Sequence, residues 1–89
     1  VGKNKKTALI KCPYFIVELL EINRETAQKA SDNFSILSML EGRLTIKFKS
    51  EKVNVVKGET VFLPAGLADY KLSPDIPSRM LKTYIPSNP

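Results

Sequence analysis

Eighty-nine residues, 43% hydrophobic and 26% charged, make one globular domain with a thin core and exclude a disordered chain. The net charge of +5 admits a polyanionic partner, but no apolar run approaches the roughly 18 residues of a membrane-spanning helix. With no histidine and a single cysteine, these residues can form neither an internal disulfide nor a Cys–His catalytic pair.

The start, Val1-Gly2-Lys3-Asn4-Lys5-Lys6, is basic but has no apolar segment behind it, so no secretory signal is expected. Because the first residue is valine, we expect the chain to be a piece of something longer. Residues 1–11 read as a flexible or edge segment, 12–86 as the domain and 87–89 as a tail. Cys12 reads as a small buried apolar residue rather than a reactive thiol, in a reducing, cytoplasmic setting. Phe15 to Ile22 is open to two readings. Pro13 suits a helix start, whereas the aromatic and β-branched residues Tyr14, Phe15, Ile16, Val17 and Ile22 favour a strand. Strand is the expectation, followed by a polar loop from Asn23 to Asn33.

Phe34 to Leu40 is a further apolar strand, ended by the turn Glu41-Gly42. Leu44 to Lys49 is the cleanest alternation, with Leu44, Ile46 and Phe48 on one face and Thr45, Lys47 and Lys49 on the other. Ser50-Glu51-Lys52 connects it to a return strand, Val53 to Val56, so Gly42 and Gly58 bracket a hairpin. Lys57-Gly58-Glu59 is a turn, and Thr60 to Leu63 a strand stopped by Pro64 and Gly66. Asp69 to Leu72 and Met80 to Ile85 are the last strands, separated by a loop over Ser73 to Ser78. Many short strands with turn signals between them predict an all-β fold, a small antiparallel barrel or sandwich.

No Gly-rich phosphate loop, H-E-x-x-H or G-x-S-x-G occurs, and the close carboxylate pairs Glu18/Glu21 and Glu51/Glu59 read as solvated. No catalytic residue is assigned. The lysines around the hairpin, Lys47, Lys49, Lys52 and Lys57, read as solubility and edge protection rather than a nucleic-acid surface. A nucleic-acid-binding barrel would need Tyr14, Phe34, Phe48 and Tyr70 exposed among lysines, yet Phe48 shares its face with Leu44 and Ile46.

Gly58-Glu59-Thr60-Val61-Phe62-Leu63-Pro64-Ala65-Gly66 resembles the second motif of the cupins, small jelly-roll barrels that often hold a metal. The resemblance places that motif's histidine at Asp69 and its later asparagine at Ser73. Counting back from Gly42, the first motif's glutamate falls on Ser35 and its histidines among Gln28, Lys29, Ala30 and Ser31. All these ligand positions depart from the pattern, so Ser35 and Asp69 are read as degenerate positions and no metal is expected here. What remains of the motif is its turns: Gly42, Gly58, Pro64 and Gly66.

The order of Cys12 to Val17, Phe34 to Gly42, Lys57 to Gly66 and Tyr84-Ile85-Pro86 is similar to the carboxy-terminal cupin domain of short bacterial type I mannose-6-phosphate isomerases. The resemblance implies a parent enzyme that interconverts mannose 6-phosphate and fructose 6-phosphate through an enediol. Zinc in a preceding catalytic domain would act as its Lewis acid. It implies a metal-free copy that packs on that domain, inactive alone, with the catalytic domain as partner and a homodimer the other option. The alternative is a stand-alone cupin binding a sugar or sugar phosphate, with Arg43, Lys71 or Arg79 reaching the anion. The apolar excess on both faces of Phe15 to Ile22 suits the first reading: one face fills the barrel and the other covers a neighbour.

Overall fold

A computed structural model describes residues 3–29, 33–66 and 69–86. Nine strands are described: β1 (Lys5–Lys11), β2 (Ile16–Ile22), β3 (Thr26–Gln28), β4 (Ser35–Glu41), β5 (Arg43–Phe48), β6 (Glu51–Val56), β7 (Thr60–Leu63), β8 (Tyr70–Pro74) and β9 (Ser78–Tyr84). They form a five-stranded sheet ordered β1-β2-β9-β4-β7 and a four-stranded sheet ordered β3-β8-β5-β6. Every pairing is antiparallel. This is a jelly-roll sandwich, the expected all-β class.

The period of two carries the core. Leu37, Leu44, Ile46, Val55, Leu72 and Met80 are fully buried between the sheets, each on the inward parity of its strand. The apolar residues of β2 choose the strand over the helix because β9 pairs with it from Ile16 to Ile22 without a break. β1 lies at the edge of its sheet, where Lys5, Lys6, Lys11 and a bulge between Ala8 and Ile10 discourage further pairing.

Three loop boundaries differ from the sequence reading. The polar stretch after β2 contains β3, because Thr26, Ala27 and Gln28 satisfy their backbone groups on the edge of β8. Its Ala30 and Ser31, two of the positions matched to motif histidines, lie outside the described residues, as do the tail 87–89 and the first two residues. The β5–β6 turn is Lys49-Ser50 rather than 50–52. Pairing of Phe48 with Glu51 leaves two residues to reverse the chain, and Lys49 takes a φ of 53° to do it. Ser73 and Pro74 belong to β8, opposite Thr45 and Leu44, and Ser78 opens β9, which shortens the expected loop to 75–77.

One end of the sandwich is pinned. Buried Ser78 accepts a hydrogen bond from the Arg43 N–H at 3.1 Å and donates to the Ile76 carbonyl at 2.8 Å, with the Arg43 carbonyl at 3.2 Å as alternative acceptor. The Asp75 N–H donates to the Arg43 carbonyl at 2.9 Å, and Arg43 pairs with Asp75 at 3.4 Å. Gly42 (φ 91°) sits against this knot: a Cβ there would lie 2.7 Å from both the Pro77 carbonyl oxygen and the Ser78 Cα. Gly58 and Gly66 also have positive φ but open space around them. At the β6–β7 turn the Val56 N–H donates to Glu59 Oε1 at 2.9 Å, so Glu59 is a turn residue rather than half of an acid pair.

Gly42→Ala combines left-handed strain with overlap against backbone atoms, and should cost about 3 kcal/mol or more. Gly66→Ala meets only the strain and should cost about 1 kcal/mol. Urea unfolding of the two variants, with midpoints compared to the parent, measures the difference.

Candidate functional site

The connections fix two ends. The pinned end holds the β4–β5, β6–β7 and β8–β9 turns; at the other lie the starts of β2, β4 and β8 and the ends of β5, β7 and β9. Toward this second end the inward face stops being wholly apolar. Glu18 shares parity with buried Leu20 and Ile22, and is itself only 9% exposed. Lys82 and Tyr84 share parity with fully buried Met80, and Ser35 with Leu37. In register, Glu18 faces Lys82 across β2 and β9, while Ser35 faces Tyr84 across β4 and β9. Tyr70, 5% exposed, begins β8 on the opposing sheet.

These groups sense one another. Burial pushes the Lys82 ammonium below the ordinary lysine range, opposed by Glu18 and reinforced by repulsion from Lys6. The Tyr84 phenol is pushed up by burial and by the nearby Glu18 carboxylate. Lys82 Nζ lies 5.3 Å from the centre of the Tyr84 ring, a cation–π arrangement. The ion pairs of the described residues lie elsewhere: Arg43–Asp75, Lys47–Glu25 and Arg79–Glu41. Glu18 was expected to be solvated. It is buried because its position in β2 carries it inward with the leucines.

Of the two degenerate motif positions, Ser35 is buried on the inner face, in register with Leu63 and Tyr84. Asp69 is exposed and lines a shallow groove with Ala27, Lys47, Lys49 and Lys71 on the outside of the four-stranded sheet. Ser35 is thus on the inner face and Asp69 in the outer groove. Pro64 follows the last residue of β7, and Gly42, Gly58 and Gly66 take the left-handed turns the motif requires.

Among the described residues no three His, Cys, Asp or Glu side chains gather into a metal site. The inward donors do not fit a transition ion either: they are one carboxylate, a serine hydroxyl and two phenols, and the carboxylate faces an ammonium that would repel the ion. Nor do the cations named for a sugar phosphate converge. Arg43 and Arg79 are ion-paired, and Lys71 lines the outer groove. The aromatics do not share an exposed face: Phe34 stacks on Phe62 (centroids 5.4 Å apart), Phe48 packs on the core and Tyr70 is buried.

The sequence reading took Glu18 as solvated and gave Lys82 and Tyr84 no inward place, although parity alone could have placed all three. Glu18-x-Leu20-x-Ile22 and Met80-x-Lys82-x-Tyr84 place polar residues on the same face as core residues.

Comparison with known proteins bears on the fold and the family. A family model described as the cupin domain of mannose-6-phosphate isomerase matches residues 4–77. No curated protein sequence matches. Solved structures with this fold include a cupin superfamily protein from Desulfitobacterium hafniense, with a TM-score of 0.83 at 15% identity over 97% of this chain and 80% of that one. The Clostridium difficile EutQ protein gives 0.83 at 18% identity over 96% and 69%. A cupin-2 domain protein from Shewanella frigidimarina gives 0.78 at 16% identity over 89% and 78%. At such identities the likeness is one of fold.

Burial pushes the Tyr70 phenol up to about 12, above the value of 10.0 it has when unfolded. The folded state therefore holds that proton longer, and stability present below pH 10 is lost as pH rises toward 12, by roughly 2 kcal/mol. Tyrosinate absorbance should show a late step near pH 12 that Tyr70→Phe removes. Tyr70→Phe should remove this alkaline limb from the stability curve.

Proposed function

The chain belongs to the cupin-domain family of mannose-6-phosphate isomerase, and from that premise we propose that it is the enzyme's carboxy-terminal, metal-free cupin. In this reading it packs on the zinc-containing catalytic domain and supports it. The parent reaction, mannose 6-phosphate to fructose 6-phosphate, needs a Lewis acid and a proton carrier at adjacent carbons. The inward donor set here supplies no fitting metal site, so the chemistry is assigned to the other domain.

One observation carries the supporting role: a mostly apolar band crosses the outer face of the five-stranded sheet from β1 to β7, beside a row that adds Thr7, Ser38 and Thr60 to its leucines. Ile10, Val17, Thr83, Ile36 and Phe62 form one row across its strands, and Leu19 and Leu81 continue the face in the next. Phe62 is 59% exposed and Ile10 49%. An exposed apolar band of this kind is a mark of an interaction surface. The occupant proposed for it is the catalytic domain of the same enzyme.

Two measurements test this reading. The 89-residue domain with added zinc should give no isomerase turnover, and sustained turnover would reject the proposal. In the full-length parent, Phe62→Asp should weaken the domain interface by about 2 kcal/mol, seen as earlier thermal unfolding. The same substitution in the isolated domain, where Phe62 is already exposed, should change stability little. Equal effects in both contexts would count against the interface.

A further inference from the structure

We propose that the outer face of the four-stranded sheet docks an acidic polypeptide segment, whose carboxylates meet a row of lysines, Lys71, Lys47 and Lys52, with Lys49 beside it. This face belongs to the other sheet from the apolar band, and the proposal does not depend on that band's role.

The row follows from register. Lys47 is the cross-strand partner of Lys71 on one side and of Lys52 on the other. All three take the outward parity, because buried Ile46, Leu72 and Val55 hold the inward one. Paired strands lie about 4.8 Å apart, so three lysines stand across about 10 Å of sheet. Like charges directly opposite one another destabilise a sheet. Edge protection, expected of these lysines, explains Lys52, since β6 is an edge strand. It does not explain Lys47 and Lys71, because β5 and β8 have neighbours on both sides. Nor does solubility require the repulsion: the flanking row, Ser73, Thr45 and Asn54, is polar without charge.

The surroundings say which anion fits. Lys47 donates to Glu25 Oε1 at 3.1 Å, so a carboxylate carried on a polypeptide is already seated on the row. The Glu25 carboxyl is held below its ordinary range by that bond and also by the charge of Lys71. Asp69 lines the groove together with Lys49 and Lys71. Four ammonium groups stand against these two carboxylates, and the balance favours further negative charge. The lysine row and its flanking row carry no aromatic on which bases could stack, and no large apolar side chain that a lipid surface could take up. Asn54 accepts the Thr45 hydroxyl at 2.9 Å, which keeps its amide N–H groups for a peptide carbonyl.

Nuclear magnetic resonance titration of the 89-residue chain with a ten-residue oligoglutamate tests the assignment. Exposed charge pairs are individually weak, so affinity should be about millimolar at physiological salt and tighter when salt is lowered. Amide shifts should saturate and centre on β5, β6 and β8. Lys52→Gln and Lys71→Gln should each weaken binding about threefold. Lys5→Gln and Lys11→Gln remove the same charge from the other sheet and should leave it unchanged. Lys52→Glu should weaken binding about tenfold yet raise the urea midpoint of the free chain, because it turns a like-charge pair into an ion pair. Absence of saturable shifts overturns the proposal, as do shifts spread over both sheets or equal losses from the β1 variants. So does tighter binding of a ten-residue oligothymidylate, of phosphatidylserine vesicles or of oligoglutamine.

Discussion

The fold depends on one crowded corner. Ser78 is bonded to the backbone of the β4–β5 turn and of the β8–β9 loop, and Gly42 lies against it with no room for a side chain. That contact holds the start of β5 in one sheet against the start of β9 in the other. Because the sheets are pinned there, their separation at the opposite end is set by side chains rather than backbone. The opposite end is where polar groups enter the interior.

The molecule accordingly grades from sealed to polar along its strands. Leu44, Met80 and Leu72 fill the middle without exposure, and Glu18, Lys82, Ser35 and Tyr84 follow on the same parity. A sandwich of this size keeps only a modest stability margin, so charges placed inside it are a notable expense. Their neighbourhood explains how they are tolerated: the ammonium lies over an aromatic ring and within the field of a carboxylate.

The two faces of the five-stranded sheet divide the work. Its inner face lines the barrel, while its outer face carries Val17, Ile36, Leu81 and Phe62. β2 carries apolar residues on both faces, and that doubled pattern is what made Phe15 to Ile22 ambiguous between strand and helix. The motif turns were legible because Gly and Pro act locally: Gly42, Gly58 and Gly66 hold left-handed backbone and Pro64 follows the end of β7. The departures at Ser35 and Asp69 were legible as residue types. Their places were not, since one faces the interior and the other a groove outside it.

What the chain alone determined was what a short window encodes: all-β class, strand alternation, turn positions and likeness to a cupin domain of mannose-6-phosphate isomerase. Tertiary structure decided the rest. β3 forms because an edge of β8 accepts it, and Ser78 matters because its hydroxyl joins the backbone of Arg43, 35 positions away, to that of Ile76 in its own loop. Glu18 and Lys82 lie 64 positions apart (82 − 18) and become neighbours only when β2 meets β9. Long-range register is set by the fit of whole sheets, which no local stretch of residues contains.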